Sequence, residues 1–184
     1  MKLKVGLLGG GSWGTTVASL TSKNSETTIW ARNIETVNEI NEHNSNEKYL
    51  PKAKLHKGLK ASNSIKETVE NADVIVMGVP SQNFRAVLLE AKPYIRPWVP
   101  IVSLAKGLEI STKMRMTEII EEIMPGHPAG VLTGPNLAKE IHAGMAAAAV
   151  ISMVDKTIAK KLQTVFSSGL FRVYTNTDVI GSEL

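Results

Sequence analysis

Short apolar runs alternate with longer amphipathic stretches along the chain. The runs are rich in β-branched and aliphatic side chains, which is typical of buried strands. They predict six strands of one parallel sheet, at residues 4–8, 28–31, 74–79, 101–104, 130–133 and 147–153. Hydrophobic residues at helical spacing predict six helices in the other stretches, at residues 15–22, 34–44, 65–71, 82–92, 114–124 and 155–167.

The alternation of strands and helices predicts an α/β fold. Connections between parallel strands are right-handed, so the chain should form a Rossmann-type doubly wound, mostly parallel sheet with helices on both faces. Ligands of such sheets bind at the carboxyl ends of the strands. The loops that follow the predicted strands are therefore the places to search for a functional site.

Two local signals add detail to this outline. Ser64, with Glu67 three residues later, predicts a capping box that satisfies two backbone donors at the start of the third helix. Residues 48–60, which include Pro51 and Gly58, predict a long surface loop.

The composition is that of an ordinary globular protein. With 43% hydrophobic and 21% charged residues, the chain differs from disordered and fibrous proteins. Its 184 residues suffice for one good-sized core, or for one domain and part of another, but not for two large domains. The sequence has no cysteines, which excludes disulfides, thiolate metal sites and a cysteine nucleophile.

Net charge and hydropathy limit which binding partners and which cellular location we expect. The net charge is +4, but the 21 basic residues are spread along the chain, so no nucleic-acid groove is indicated. The apolar stretch behind Lys2 and Lys4 is soon interrupted by glycines, and no apolar run reaches the length of about 18 residues that a membrane span needs. We therefore expect no secretory signal and no membrane span, and a reducing, cytoplasmic location fits.

The stretch GLLGGGSWGT, at residues 6–15, carries the clearest motif. Gly9, Gly11 and Gly14 have the spacing G-x-G-x-x-G between the first predicted strand and the first helix, as a dinucleotide-binding turn requires. Gly9 would permit a tight turn, Gly11 would let a pyrophosphate approach the backbone, and Gly14 would let helix and strand pack closely. Backbone N–H groups and the helix dipole would then hold the phosphates. The alternatives are a turn used only for packing and, for Trp13, a packing role.

The end of the second predicted strand bears on the choice of cofactor. An acidic residue there usually bonds the ribose 2′-hydroxyl of NAD, but the sequence IWARN offers Arg32 and no carboxylate. A guanidinium can pair with a 2′-phosphate or stack on adenine, so NADP is at least tolerated beside NAD. Glu35 reaches the ribose only if the turn is shifted, and the alternative for Arg32 is a solvated loop residue.

Two later strand exits carry groups suited to an anionic or carbonyl ligand. SLAKGLE places Lys106 in a loop at the carboxyl edge of the sheet, where its ammonium can meet a phosphate, a carboxylate or a substrate oxygen. In TGPNLAKEI, Gly134 and Pro135 break the strand, and Asn136 is predicted to cap a helix whose free N–H groups face an anion. The alternatives are a solvent-exposed lysine and an asparagine that only caps the helix.

Another strand exit, VPSQNFR, lies at the level where a nicotinamide would bind. Phe84 could form a wall of that pocket, but we favour a place in the core. The four histidines do not cluster with carboxylates at metal-ligand spacing, so no metal site is expected.

Six segments carry a resemblance that covers the whole chain: GGGSWGT, IWAR, ADVIVMGVPSQNFR, SLAKGLE, GPNLAKEI and DVIGSEL. In order and approximate spacing they resemble bacterial NAD(P)-dependent glycerol-3-phosphate dehydrogenases. The resemblance implies reversible hydride transfer between NAD or NADP and the carbon that joins dihydroxyacetone phosphate to sn-glycerol 3-phosphate. That reaction supplies glycerophospholipid synthesis.

The resemblance also implies roles for individual residues. Besides the motif glycines, the residues that would contact the cofactor are Ser12, Trp13, Arg32, Lys106 and Ala138. The substrate would contact Lys106, Gly134 and Asn136. The Lys106 ammonium would polarise the ketone and stabilise alkoxide character as hydride arrives. Asn136 stands where serine or threonine is common in the family.

In the family, a segment like DVIGSEL continues into a GGALKN-like stretch, whose lysine is the general acid/base, and then into a helical substrate domain. Neither follows Leu184 in this sequence. We therefore expect residues 1–184 to form a dinucleotide-binding domain that binds cofactor without turnover, because proton transfer alone contributes ~10² to 10⁴ in rate. The resemblance is compatible with a homodimer of the full-length form.

Two other functions stay open at this point. A related β-hydroxyacid or sugar-acid dehydrogenase would share the N-terminal sheet but would reduce 3-oxoacids rather than dihydroxyacetone phosphate. A non-catalytic module that senses pyridine nucleotides through the glycine turn would bind a partner in a cofactor-dependent way.

Overall fold

A computed structural model describes residues 2–184, which form one eight-stranded sheet and eight α-helices. The strands are β1 (Lys4–Leu8), β2 (Glu26–Trp30), β3 (Lys60–Ser62), β4 (Val74–Met77), β5 (Ile101–Ser103), β6 (Ala129–Thr133), β7 (Ala147–Met153) and β8 (Phe171–Asn176). The helices are α1 (Ser12–Thr21), α2 (Ile34–His43), α3 (Ile65–Val69), α4 (Ser81–Ala91), α5 (Met116–Ile123), α6 (Ala138–His142), α7 (Lys156–Phe166) and α8 (Val179–Glu183). A 3₁₀ turn, Lys92–Tyr94, follows α4.

The strand order is β3-β2-β1-β4-β5-β6-β7-β8. Its first six strands are parallel and follow the order of a doubly wound dinucleotide-binding fold, which confirms the predicted Rossmann-type α/β class. Leu8 on β1 lies opposite Trp30 on β2 and Met77 on β4. Because the chain winds to opposite sides of β1, a crevice opens at the carboxyl ends of β1 and β4.

The direction of β7 differs from the predicted parallel arrangement. β7 pairs antiparallel with β6, with Thr133 opposite Val150, whereas β8 pairs parallel with β7. The apolar pattern of residues 147–153 predicts a strand but not its direction, because buried side chains alternate in the same way in both cases. The short connection through α6 returns the chain directly into β7 without a crossover.

Helices cover both faces of the sheet, as predicted. Along β4, the side chains of Val74 and Val76 join one buried cluster, and those of Ile75 and Met77 join another. The first cluster includes residues of α1, α2 and α7, and the second includes residues of α3, α4 and α5. The unbroken apolar sequence of β4 follows from this burial on both faces.

The six predicted strands and six predicted helices are confirmed, with ends that shift by at most three residues. The prediction missed β3, β8 and α8. β3 has only three residues, none of them buried, and β8 interrupts its apolar pattern with exposed Arg172 and Tyr174. α8 has five residues and buries none of them.

The predicted capping box at the start of α3 is wrong in one of its two bonds. Ser64 Oγ accepts from the backbone N–H of Glu67 at 3.3 Å, as predicted. The Glu67 carboxylate, however, accepts from Ser62 Oγ at 2.6 Å, and Ser62 Oγ accepts from the Ser64 N–H at 3.0 Å. The hydroxyl of Ser62 thus takes the place that the carboxylate has in a direct box.

The segment between α2 and β3 confirms the predicted loop, except that Lys60 already belongs to β3. The loop is not only a surface feature, because Leu50, Leu55 and Leu59 are buried in the cluster under α1 and α2. The buried side chain of Leu50 anchors the part of the loop that carries Lys48 and Tyr49, two residues that line a cleft beside Gly9 and Ala31.

Candidate functional site

The glycine-rich turn joins β1 to α1 at the crevice. Gly9 has φ +131°, and a Cβ built there would lie 2.5 Å from the carbonyl oxygen of Gly78. A Cβ at Gly14 would overlap the carbonyl oxygen of Gly9. The backbones of β1, β4 and α1 therefore approach so closely that no side chain fits at either position.

Gly11 differs from the two glycines beside it. A Cβ at Gly11 would meet no atom within 4 Å, so the space in front of it is open. Gly11 is the N-cap of α1 and has no side chain to cap the helix. Within residues 2–184, the backbone N–H groups of Gly11, Ser12 and Trp13 find no acceptor, so they can bind an anion.

A cleft of about 400 Å³ opens on one side of this turn, and we call it the large cleft. Its lining residues are Gly9, Gly10, Gly11, Trp30, Ala31, Arg32, Asn33, Thr36, Lys48, Tyr49, Gly78, Val79 and Pro80. Two cations, Arg32 and Lys48, and no carboxylate belong to this lining. Asn33 caps α2 by accepting from the Glu35 N–H at 2.8 Å, and Glu35 does not reach the cleft.

A second cavity, of about 250 Å³, opens on the other side of the turn, and we call it the small cavity. It is lined by Trp13, Leu104, Lys106, Leu132, Thr133, Gly134 and Asn136. Lys106 is exposed, and its Nζ donates to the carbonyl oxygen of Gly134 at 3.3 Å. An ammonium and several backbone groups are thus placed at the carboxyl ends of β5 and β6.

The prediction that Asn136 caps a helix is wrong. Leu137 occupies the N-cap position of α6 and cannot accept a hydrogen bond through its side chain. The side-chain amide of Asn136 is buried, and neither its Nδ2 nor its Oδ1 has a partner within residues 2–184. Because an unpaired buried amide is costly, this side chain is suited to a polar ligand in the small cavity.

The loop that carries Lys106 is fastened to α4. Gln82 Nε2 donates to the Leu108 carbonyl oxygen at 2.8 Å, and Gln82 Oε1 accepts from the Ile110 N–H at 3.0 Å. Glu109 lies between Leu108 and Ile110 in the sequence, and its buried carboxylate accepts hydrogen bonds from Arg85 Nε at 2.9 Å and Nη2 at 3.0 Å. The segments VPSQNFR and SLAKGLE therefore meet in space and hold the lysine loop in place.

Hydrogen bonds stabilise the charged forms of Arg85 and Glu109. The bonds from Arg85, followed by the bond from the Thr112 hydroxyl, lower the pKa of the Glu109 carboxyl. The bonds to Glu109 and then to Glu122 raise the pKa of Arg85. The carboxylate and the guanidinium therefore both stay charged in the neutral pH range.

The structure groups the predicted site residues into the two cavities. Gly9, Gly11 and Arg32 line the large cleft. Lys106, Gly134 and Asn136 line the small cavity together with Trp13. The remaining predicted residues, Ser12, Gly14 and Ala138, line neither cavity: Ser12 begins α1, Gly14 is buried behind the turn, and Ala138 packs on the core.

Two aromatic residues, Phe84 and Trp13, differ in how they divide between the core and the site. Phe84 is fully buried, which confirms its predicted place in the core. Trp13 combines both roles, since its ring meets Phe171 edge to face at 6.3 Å between ring centroids and also lines the small cavity.

The loop after α2 contributes to the large cleft, which the sequence pattern did not predict. Lys48 and Tyr49 line the cleft, with Lys48 Nζ at 5.4 Å from the centroid of the Tyr49 ring. Asn46, just before them, is fully buried beside the glycine turn. A loop has no periodic pattern to show which of its side chains point inward, so the sequence alone offered no signal for these residues.

We also searched the described residues for metal-ligand clusters and for helices that could cross a membrane. Residues 2–184 contain no group of three or more histidine, aspartate and glutamate side chains arranged to hold a metal ion. None of the helices in that range has both the length and the apolar character that crossing a bilayer would require.

His142, on α6, has a perturbed titration. Burial, followed by repulsion from Lys23, lowers the pKa of His142 below its ordinary value of 6.5. Its Nε2 is buried without a partner among the described residues. Because the side chain regains the ordinary pKa on unfolding, the unfolded state binds more protons below pH 6.5. The stability linked to neutral His142 is thus complete above that pH and is lost as the pH falls through the lowered pKa.

We therefore expect the free energy of unfolding to fall as the pH drops from about 7 to about 5. His142→Gln should remove part of this slope, by less than about 1.4 kcal/mol per pH unit, the limit for one proton. Urea denaturation at several pH values measures the slope, and His43→Gln, at a histidine whose side chain is 68% exposed, is the matched control. An unchanged slope in His142→Gln would show that other groups cause the pH dependence.

A family model and curated relatives identify the family of this chain. The family model described as NAD-dependent glycerol-3-phosphate dehydrogenase N-terminus matches residues 4–159. A glycerol-3-phosphate dehydrogenase [NAD(P)+] of Sphingopyxis alaskensis is 60% identical over 184 residues, which are 100% of this chain and 55% of the relative. The corresponding protein of Mycobacterium avium is 52% identical over 182 residues, or 98% of this chain and 53% of the relative.

A solved structure gives the same result. The crystal structure of glycerol-3-phosphate dehydrogenase from Coxiella burnetii superposes with a TM-score of 0.91 at 31% sequence identity. The superposition covers 99% of this chain and 56% of the Coxiella chain. The chain thus spans about half the length of the relatives that it matches.

Proposed function

The chain belongs to the NAD-dependent glycerol-3-phosphate dehydrogenase family, and from this premise we propose that it provides the cofactor-binding part of such an enzyme. The reaction is the reversible, NAD(P)H-dependent reduction of dihydroxyacetone phosphate to sn-glycerol 3-phosphate, which supplies glycerophospholipid synthesis. One observation carries the proposal: the open backbone at Gly11 lies between a cleft lined by cations and a cavity lined by Lys106.

The glycine turn and the large cleft fit a dinucleotide. The free N–H groups of Gly11, Ser12 and Trp13 would bind the pyrophosphate at the start of α1. Arg32 would pair with a ribose 2′-phosphate or stack on adenine, so both NAD and NADP are accepted. The reduced nicotinamide, when bound, supplies the hydride. Ala138, on α6, would contact the same cofactor.

The small cavity fits a phosphorylated triose. The Lys106 ammonium would polarise the ketone and stabilise the negative charge that develops on its oxygen. The backbone of Gly134 and the unpartnered amide of Asn136 would hydrogen-bond the substrate, which removes the cost of the unpaired buried amide. Because Asn136 has both a donor and an acceptor, it can serve a hydroxyl in the place of the usual serine or threonine.

We assign the general acid/base to a lysine outside residues 1–184, in a helical substrate domain. The relatives are long enough to contain such a domain, because this chain covers only 55% of the Sphingopyxis alaskensis protein. On this assignment residues 1–184 are the dinucleotide-binding domain, and a polypeptide of these residues alone binds NADH without turnover. The assembled enzyme acts in the cytoplasm, and a homodimer is compatible with it.

A chimera tests the proposed activity. It joins residues 1–184 to the part of the Sphingopyxis alaskensis relative that lies outside the matched region. The two proteins are 60% identical over the 184 residues that they share. We expect the chimera to reduce dihydroxyacetone phosphate with NADH or NADPH in a steady-state assay and to leave 3-oxoacids unchanged. Lys106→Met in the chimera should lower kcat by about a hundredfold or more, the scale of losing one oxyanion-stabilising group.

Two outcomes would contradict the proposal. A chimera that folds and binds NADH but prefers a 3-oxoacid would point to the related hydroxyacid dehydrogenases. Full turnover by residues 1–184 alone would contradict the assignment of the acid/base lysine to another part of the enzyme.

Arg32 provides a test of cofactor choice. Arg32→Ala should weaken NADPH binding by ~1.5 to 3 kcal/mol, because a charge-assisted hydrogen bond to the 2′-phosphate is lost. NADH lacks that phosphate, so its affinity should change little. Fluorescence titration of both cofactors measures the two effects, and Arg172→Ala, at an exposed arginine on β8, is the control. Equal losses for the two cofactors would mean that Arg32 does not distinguish them.

A further inference from the structure

Asn46 makes an unusual contact with the glycine turn. The residue is fully buried, and its Nδ2 donates to the carbonyl oxygen of Gly10 at 3.1 Å and to Thr15 Oγ1 at 2.9 Å. The orientation of the amide is fixed, because the carbonyl of Gly10 can only accept a hydrogen bond. One side chain from the loop after α2 thus joins the turn to the first helical residues behind it.

The bond to Gly10 determines the direction of a neighbouring donor. The carbonyl of Gly10 and the N–H of Gly11 belong to one planar trans peptide unit, so they point in opposite directions. Because Asn46 holds the oxygen on its own side, the N–H of Gly11 must point away from Asn46. That N–H has no acceptor within residues 2–184, and the space in front of Gly11 is open.

Burying Asn46 has an energetic cost, which indicates that this residue does more than stabilise the fold. Its Oδ1 is buried without a hydrogen-bond partner in the described part of the chain. An unsatisfied buried oxygen offsets part of the gain from the two bonds of Nδ2. An apolar side chain of similar volume would avoid that cost, but it could not orient the Gly10 carbonyl.

Asn46 is also tied to the wall of the large cleft. The backbone carbonyl oxygen of Asn46 accepts from the N–H groups of Tyr49 at 3.1 Å and Leu50 at 2.7 Å. These two bonds close the turn that carries Lys48 and Tyr49. The buried side chain of Leu50 anchors this turn in the core. A displaced Asn46 would therefore disturb the glycine turn and the cleft wall together.

We propose that Asn46 is a positioning residue for the dinucleotide: through the Gly10 carbonyl, it aims the N–H of Gly11 at the pyrophosphate. This inference rests on the proposed cofactor site but concerns a residue that does not itself touch the cofactor. The diphosphate is the part of the ligand that would accept the hydrogen bond from the Gly11 N–H. The affinity of any ligand with a diphosphate at this position should therefore depend on Asn46.

Two variants separate positioning from stability. Asn46→Leu keeps the branching and the number of side-chain heavy atoms, adds bulk through its two methyl groups, and removes both bonds. Thr15→Val keeps the shape and removes only the bond to α1, which leaves the bond to Gly10 intact. For each variant, the dissociation constants of NADH and of ADP are measured by titration calorimetry, and the free energy of unfolding without ligand is measured in urea. The amide resonance of Gly11 is followed by NMR during the ADP titration.

We expect Asn46→Leu to weaken NADH and ADP by about tenfold or more, the scale of one hydrogen bond to a charged acceptor. The Gly11 amide shift on adding ADP should shrink in that variant. Thr15→Val should keep both affinities within about twofold of the native values, even though it loses a buried hydrogen bond. If Asn46→Leu does not fold, Asn46→Ala, which leaves room for water, replaces it with the same readouts.

Three results would overturn the inference and leave the proposed function standing, and a fourth would overturn both. Asn46→Leu with native affinity would show that the Gly11 N–H needs no such support, and Thr15→Val with an equal loss would show a general effect of stability. A native protein that binds NADH through a turn whose Gly11 amide does not respond would exclude the proposed direction of that N–H. If the native protein binds neither NADH nor ADP, the proposed function itself fails, and the inference fails with it.

Discussion

Replacing Gly11 by alanine should leave the domain folded but weaken its binding of NADH and NADPH by about a hundredfold or more. The added methyl group would meet no protein atom within 4 Å, so the folded chain has room for it. It would instead occupy the space through which, on the proposed function, a pyrophosphate would approach the backbone. The loss of affinity reflects two or more hydrogen bonds from N–H groups to a charged phosphate, each worth ~1.5 to 3 kcal/mol.

Two measurements decide this prediction. Urea denaturation without ligand should give a free energy of unfolding within about 1 kcal/mol of the native value, the scale of the preference for glycine over alanine at an N-cap. Fluorescence titration with each reduced cofactor gives the affinity. Native affinity in a folded Gly11→Ala protein would mean that the diphosphate does not lie against this turn, and the proposed function would lose its basis.

Gly14→Ala should have the opposite effect and destabilise the free protein by roughly 3 kcal/mol or more. In the interior of an ordinary helix, the same change stabilises by about 1 kcal/mol. Here the new Cβ would overlap the carbonyl oxygen of Gly9 and lie 3.3 Å from Leu7 Cδ2. A backbone oxygen cannot move aside as the end of a flexible side chain can, so the helix and the turn would have to separate.

Gly11→Ala is the matched control for Gly14→Ala, because it adds the same methyl group three residues earlier without a clash. Thermal and urea denaturation of the two variants in parallel give the comparison. A Gly14→Ala protein as stable as the native one would show that α1 can move away from the turn, and the close packing described for this motif would then be wrong.

The glycine motif was predictable because its position between β1 and α1 gives each glycine a separate reason. Gly9 and Gly14 lie where backbones touch, and Gly11 lies where nothing does. The apolar runs predicted the strands for a similar reason, since strands such as β4 bury both of their faces and contain hardly any polar residues.

Other features depend on contacts between distant segments, which periodicity does not encode. The antiparallel direction of β7 follows from the short return through α6, and the lining of the large cleft by Lys48 follows from the anchoring of buried leucines. Asn136 resembles a helix cap in the sequence, but α6 begins one residue later than a cap at that position requires. The pairing of Arg85 with Glu109 likewise joins two segments that lie 24 residues apart.

The central place of β1 has a consequence for the order in which the domain can assemble. β1 leaves the ribosome before the other seven strands of this sheet, yet one of its two neighbours, β4, is synthesised only after β2 and β3. Until Gly78 emerges, the Leu8 carbonyl lacks its N–H donor, and the backbone that packs against Gly9 is missing. Long-range pairing of this kind slows folding. A nascent chain therefore carries the complete glycine motif well before it can bind a nucleotide.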